Sequence, residues 1–212
     1  MQVIALVGNK GGAGKTTLAI NLASAFSELA PTILLDADPQ GSSLQWCNIA
    51  GDTATLDVLD GSVNLADQVR SSTDVSYCVV DCPPSVHSEQ TQEALRISDL
   101  VIIPVQPSPL DLWASVHIET EVNKARAANP DLRALLVINQ SEPRTRLSKM
   151  ASEALKELSL PAATTAIRRR VAHRNAMLQG RSVLQMGSRG AMAADEIRQL
   201  IDELKTHMET RT

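Results

Sequence analysis

Hydrophobic positions along this 212-residue chain fall into two textures. Continuous apolar runs occupy Gln2–Gly8, Thr32–Asp36, Tyr77–Asp81, Leu100–Val105 and Ala134–Asn139, with a weaker run near Ala162–Ala166. They show no apolar–polar alternation, which is how strands buried on both faces read. Between them, apolar residues recur at helical spacing. Leu18, Leu22, Ala25 and Leu29 form one such set, followed by Leu110–Ala128, Thr145–Leu158 and Gly190–Met208. Asn129-Pro130 stops the second of these helices. The repeated β-then-α order predicts an α/β fold: a doubly wound, mostly parallel sheet with helices on both faces. No long linker, repeat or low-complexity segment interrupts the pattern, so residues 1–212 are expected to form a single domain. Ligands of such sheets bind beyond the C-terminal ends of the strands.

Composition narrows this picture. The only aromatic residues are Phe26, Trp46, Tyr77 and Trp113, so the core is aliphatic and base-stacking platforms are not expected. Cys47, Cys78 and Cys82 form no CxxC pair, which speaks against a zinc ribbon or a disulfide framework and suits a reducing compartment. The N-terminal apolar run lacks a basic flank and is too short for a signal peptide, and no run of about 18 apolar residues exists. A cytoplasmic location is expected. The net charge of −4 is unevenly spread: residues 1–140 hold 7 Lys/Arg against 16 Asp/Glu, and residues 141–190 hold 10 against 3. An acidic body with one basic segment suits either a local polyanion-binding patch or a solvated face.

The chemically loaded residues stand at the ends of the apolar runs. After the first comes Asn9-Lys10-Gly11-Gly12-Ala13-Gly14-Lys15-Thr16-Thr17. Its glycines let the backbone curl around phosphates, and the helix beginning near Gly14 offers its positive end to an anion. Lys15 can reach the β- and γ-phosphates and the Thr16 hydroxyl can bind Mg²⁺. The general pattern GxxxxGK[ST] asks for Gly where this chain has Asn9, and Lys10 adds a second lysine. The second run ends in Asp36-Ala37-Asp38-Pro39-Gln40 and the third in Asp81-Cys82-Pro83-Pro84. Carboxylates beside a triphosphate repel it unless they hold the metal's waters or orient an attacking water.

These motifs resemble the ParA/MinD group of deviant-Walker ATPases, and within it the small, ParF-like partition and cargo-positioning proteins. The resemblance rests on Lys10–Thr17, Asp36–Gln40, Asp81–Ser85, Val101–Ala114, Ile138–Gln140, Arg181-Ser182-Val183 and Arg189-Gly190-Ala191, and so spans nearly the whole chain. It implies a Mg²⁺-dependent ATP hydrolase. Gly11, Gly12, Ala13, Gly14, Lys15, Thr16 and Thr17 would hold ATP, with Asn139 at the adenine. Thr16, Asp38 and Asp81 would serve the metal, Asp81 through water. Asp38 would orient the attacking water, while Asp36 would be structural or stand one layer behind the residues that touch the nucleotide and metal. Lys15 would serve its own subunit's nucleotide and Lys10 would reach a partner's, so that ATP holds a homodimer; Lys10, Lys15 and Asp38 are thus the catalytic set. Pro107, Ser108, Pro109 and Asp111 match a segment near the dimer face.

On this reading ATP-bound dimers bind nucleoid DNA without sequence preference, and a separately encoded ParB-like or cargo-adaptor protein stimulates slow hydrolysis. The DNA candidates are Arg168, Arg169, Arg170, Arg174, Arg181 and Arg189, with Arg144, Arg146 and Lys149 as further ones. The sequence shows no added N-terminal helix-turn-helix, so no reading of DNA sequence is expected. A MinD-like membrane switch needs a C-terminal amphipathic helix, and residues 202–212 carry acids and few bulky apolar side chains. An iron–sulfur carrier needs bridging cysteines, whereas Cys78 and Cys82 read as small core residues. A small-molecule kinase or ligase would leave Lys10 unexplained. His87, His117, His173 and His207 show no ligand spacing.

Overall fold

The computed structural model describes residues 1–142, 145, 150, 153–155 and 158–209, with the backbone course alone for residues 109–112 and 114. The strands are β1 (Gln2–Leu6), β2 (Thr32–Asp36), β3 (Asp57–Asp60), β4 (Tyr77–Asp81), β5 (Leu100–Val105) and β6 (Arg133–Ile138). They form one six-stranded sheet in the order β3-β2-β4-β1-β5-β6, and every pairing is parallel. The described helices are α1 (Lys15–Ser27), α2 (Ser42–Ala50), α3 (Leu65–Ser71), α4 (Glu89–Ile97), α5 (Pro109–Ala125), α6 (Val171–Leu178) and α7 (Ala191–Glu209).

The absence of alternation in the strand sequences has a direct cause. Each central strand sends successive residues into two separate cores. Ile4, Leu6, Leu34, Val79, Ile102 and Val137 face one side, where α1 and α7 cover them with Leu18, Leu22, Phe26, Ile197, Leu200 and Leu204. Val3, Ala5, Leu35, Val80, Ile103 and Leu136 face the other, covered by Leu65 of α3, Leu95 of α4 and Ile118 and Val122 of α5. Phe26 and Trp46 lie in the first core with Tyr77 packed against it, Phe26 stacking on Tyr77 with centroids 4.4 Å apart, while Trp113 is exposed. The sheet is therefore doubly wound, as expected from the sequence.

Register sets up the site. Leu6, Asp81 and Asp36 lie in one row across β1, β4 and β2, and Asp36 pairs in turn with Asp60. Two carboxylates and the start of the Gly-rich loop thus share one rim.

Two expectations need correction and one strand is added. The run near Ala162–Ala166 makes no strand; its contact with the sheet is a single bridge from Ala162 to Leu136, followed by one from Arg168 to Ser141. Leu29 lies beyond the end of α1 and is exposed. Edge strand β3 went unread because Asp57-Val58-Leu59-Asp60 is acidic at both ends and largely exposed. Most of the helix expected over Thr145–Leu158 lies outside the described residues, as do Arg144, Arg146 and Lys149.

Candidate active site

The Gly-rich loop joins β1 to α1, with Gly14 in the left-handed region (φ 85°) immediately before the first helical turn. Gly14 has a second constraint: a Cβ there would come within 2.5 Å of Asn139 Nδ2. Asn139 is buried and donates from Nδ2 to the Ala13 carbonyl at 2.7 Å. Gln140 Nε2 and Gln106 Nε2 both donate to the Gly12 carbonyl, at 3.0 and 2.6 Å. Three amide side chains from the ends of β5 and β6 therefore hold the loop's carbonyls outward. Asn9, at the position where the general pattern has Gly, accepts from the Val86 N–H at 2.8 Å.

The two lysines occupy different environments. Lys10 is exposed on the rim, whereas Lys15 is 7% exposed, with its Nζ donating to the Lys10 carbonyl at 3.1 Å. Burial pulls the Lys15 pKa below the usual lysine range, opposed by the charges of Asp81 and Asp38 around it. A buried ammonium inside a loop of this kind suits an anionic ligand.

Asp81 is fully buried at the end of β4. Its Oδ2 accepts from Ser43 Oγ at 3.0 Å, and its Oδ1 has no hydrogen-bond partner among the described residues. Burial pushes its pKa up to about 7, helped by the Asp36 charge and opposed by the Thr16 and Ser43 hydroxyls and by Lys15. An orphaned, buried carboxylate oxygen beside the Thr16 hydroxyl fits a hydrated Mg²⁺. Among the described residues no group of three or more His, Cys, Asp or Glu converges as a metal cluster.

The neighbouring acids divide the work. Asp36 is buried and caps α2: its Oδ2 accepts from the Ser43 and Leu44 N–H groups at 2.8 and 2.9 Å, and its Oδ1 from the Asp38 N–H at 3.3 Å. Burial raises its pKa against these three donors. Asp38 is half-buried and accepts from the Gln40 N–H at 3.0 Å, and its charge reaches Lys15. Cys78 and Cys82 are buried in the second core, where desolvation pushes Cys78 up to about 12 and Cys82 further still. Neither is a thiolate available to a cluster.

Beside the loop a cavity of about 510 Å³ opens between Gly14 and Thr17, Asn139 and Gln140, and the segment from Ile167 to Arg170 with His173 and Arg174. His173 has both ring nitrogens buried and, among the described residues, unpartnered, and burial lowers its pKa. Four of the six arginines singled out from the sequence thus line this cavity, and three are already paired. Glu196 of α7 grips Arg170, with a shortest distance of 2.6 Å, and lies 3.5 Å from Arg168, while Arg169 meets Glu142 at 3.3 Å. Arg174, Arg181 and Arg189 are exposed. The sequence reading gave no role to Asn9, Ser43, Gln106 or Gln140. Gln106 and Gln140 stand just past the ends of β5 and β6, where the strand-end rule directs attention.

A parallel sheet with a glycine-rich loop, a buried lysine and a strand-end aspartate at one rim defines a P-loop nucleotide-binding protein. Residues 4–205 match the family described as the CobQ/CobB/MinD/ParA nucleotide binding domain, and the chain belongs to it. It is 38% identical over 205 residues to the maintenance of carboxysome distribution protein A of Halothiobacillus neapolitanus, covering 95% of each chain. The protein of the same name from Gloeobacter kilaueensis is 34% identical, with 96% of this chain and 94% of that one covered. Among solved structures, an ATP complex of a Cyanothece McdA variant superposes with a TM-score of 0.75 at 17% identity, over 97% of this chain and 96% of that one. Cobyrinic acid a,c-diamide synthase from Mycobacterium smegmatis, bound to an ATP analogue and magnesium, gives 0.78 at 22% identity, over 99% and 96%. These last two likenesses establish the fold.

Proposed function

We propose that the protein is a ParA-type ATPase that dimerises on ATP, binds double-stranded DNA without sequence preference and positions a cargo. The observation that carries the reading is the pair of lysines in one loop, Lys15 buried in the phosphate cradle and Lys10 exposed on the rim. The buried lysine neutralises its own nucleotide. The exposed one adds a cation to a partner's phosphates only when two copies face each other, the logic of an arginine finger made symmetric. Thr16 and Asp81, with Asp38, would hold Mg²⁺, which supplies charge neutralisation at the β- and γ-phosphates. Asp38 orients the attacking water, and Asp36 stays structural as the cap of α2. The adenine lies in the cavity bounded by Asn139 and Ile167–Arg170.

Two relatives spanning nearly the whole chain are named for carboxysome distribution, which favours a protein microcompartment as the cargo, and a separately encoded adaptor as the activator of hydrolysis. The apolar face of α7 (Ile197, Leu200, Ile201, Leu204 and Met208) is consumed in the core, so no described face of this helix remains for a membrane surface. No helix of the described residues is long and apolar enough to cross one.

The test is binding to a random-sequence duplex near physiological salt in the apo, ADP and ATP–Mg²⁺ states, with Lys10→Ala beside the wild type. Binding confined to ATP-bound wild type is expected, with Lys10→Ala still binding ATP. Equal binding in all three states would overturn the nucleotide switch, and no binding in any state would overturn the DNA track.

A further inference from the structure

The loop after Asp81 is held by its middle. The Val86 side chain is buried and its peptide is gripped on both sides: Asn9 Oδ1 accepts its N–H at 2.8 Å, and Gln92 Nε2 of α4 donates to its carbonyl at 2.7 Å. Gln92 also reaches Glu121 of α5 at 3.4 Å. Of these partners only Asn9 belongs to the phosphate loop, and it is the residue at which that loop departs from the general pattern. A glycine there would satisfy the pattern and leave the buried Val86 N–H without this acceptor, which is unfavourable.

Asn9 also sits one residue from the group that a phosphate must displace. Lys15 Nζ rests on the Lys10 carbonyl, and a phosphate in the loop competes for the same ammonium. On its far flank the loop is tied down through Gly12 and Ala13 by Gln106, Gln140 and Asn139. A change at the Lys10 peptide is therefore bounded by Asn9 on one side and by those amides on the other. The Asn9 side chain joins that end of the loop to Val86.

We propose that Asn9 is a positioning residue that couples occupancy of the phosphate loop to the loop following Asp81, by holding the Val86 peptide. The inference rests on the reading that the phosphate loop takes MgATP. It assigns a purpose to the one departure from the general motif that the two-lysine argument leaves over.

The experiment compares wild type, Asn9→Gly, Asn9→Asp and Gln92→Leu by amide hydrogen exchange, with and without MgATP, and by steady-state hydrolysis. In wild type, MgATP slows exchange both in residues 8–17 and in Ser85–Ser88. In Asn9→Gly, slowing persists in 8–17 and disappears from Ser85–Ser88, and kcat falls about tenfold while KM changes little, because the segment released through Val86 follows directly on Asp81, the acid assigned to the metal. Asn9→Asp keeps the acceptor and so keeps the slowing in Ser85–Ser88 and kcat, while its charge raises KM. Gln92→Leu loosens the same peptide from its other side and lowers kcat without touching the phosphate loop. Retained slowing of Ser85–Ser88 in Asn9→Gly overturns the proposal, as does an equal loss of kcat in Asn9→Gly and Asn9→Asp. If Asn9→Gly fails to fold, Asn9→Leu, which fills the position without an acceptor for the Val86 N–H, takes its place, and retained slowing of Ser85–Ser88 in that variant overturns the proposal. Absence of slowing in residues 8–17 of the wild type brings down the MgATP reading together with this inference, a result distinct from any of the others.

Discussion

Asp81 carries a conflict that the sequence alone does not display. A carboxylate at a strand end reads as a metal-binding acid, but here it is buried, with one oxygen unpartnered, and burial lifts its pKa to about 7. In an unfolded chain the same group titrates near 3.8. Below that value both states hold the proton. Between about 4 and about 7 the folded state alone keeps it, so folding stability falls as pH rises through this window. The expected result is that the urea midpoint of the metal-free wild type drops from pH 4 to pH 7 relative to Asp81→Asn, whose amide cannot ionise. Parallel midpoints for the two proteins would show that Asp81 titrates normally. Asp36, in the next strand at the same register, differs because three backbone N–H groups satisfy it. Its Oδ2 accepts from two N–H groups of the first turn of α2.

At the scale of elements, legibility followed burial. The ends of β2, β4 and β5 were read as they stand, because strands buried on both faces write continuous apolar runs. Edge strand β3 and the short helices wrote no comparable pattern: α2 buries only Ser43, Trp46 and Ala50, and α6 only Ala176. In the site, the glycine loop and the strand-end acids were legible because their chemistry is local. The amides of Gln106 and Gln140 were not, since each meets Gly12 from 94 and 128 residues away and no spacing rule spans that distance. The arginine segment shows the same limit. From composition Arg168–Arg170 and Arg174 form one basic run, yet the fold sorts them. Arg170 is 19% exposed and bonded to both oxygens of Glu196, a contact that docks the segment before α6 onto α7, whereas Arg174 stands in solvent on α6. Arg170→Ala should therefore cost about 1–3 kcal/mol of stability, the range for a charged hydrogen bond left unmade. Arg174→Ala should leave the unfolding midpoint unchanged and weaken DNA binding. Chemical denaturation beside a duplex-binding assay separates the two, and a destabilised Arg174→Ala would reverse the assignment.

Over the whole molecule, an acidic body with 16 Asp/Glu against 7 Lys/Arg in residues 1–140 cannot approach DNA by net charge. On the proposed function, attachment would come from exposed arginines such as Arg174 on α6 and Arg181 and Arg189 between α6 and α7. Three arginine contacts from one subunit would be weak at physiological salt, and pairing two subunits over one duplex would double them. This makes dimerisation measurable in the salt dependence. Each phosphate neutralised contributes about 0.9 to the slope of log affinity against log salt. In a dimer bound through both subunits, one substitution removes two contacts, so Arg181→Ala should lower the slope by about 1.8. In a monomer it removes one, and the slope should fall by about 0.9. Duplex titrations of ATP-bound wild type and Arg181→Ala across a salt series distinguish these values. A change near the larger one ties the DNA track to the two-lysine dimer. A change near the smaller one means that single subunits bind the duplex, and Lys10 then serves hydrolysis without controlling attachment.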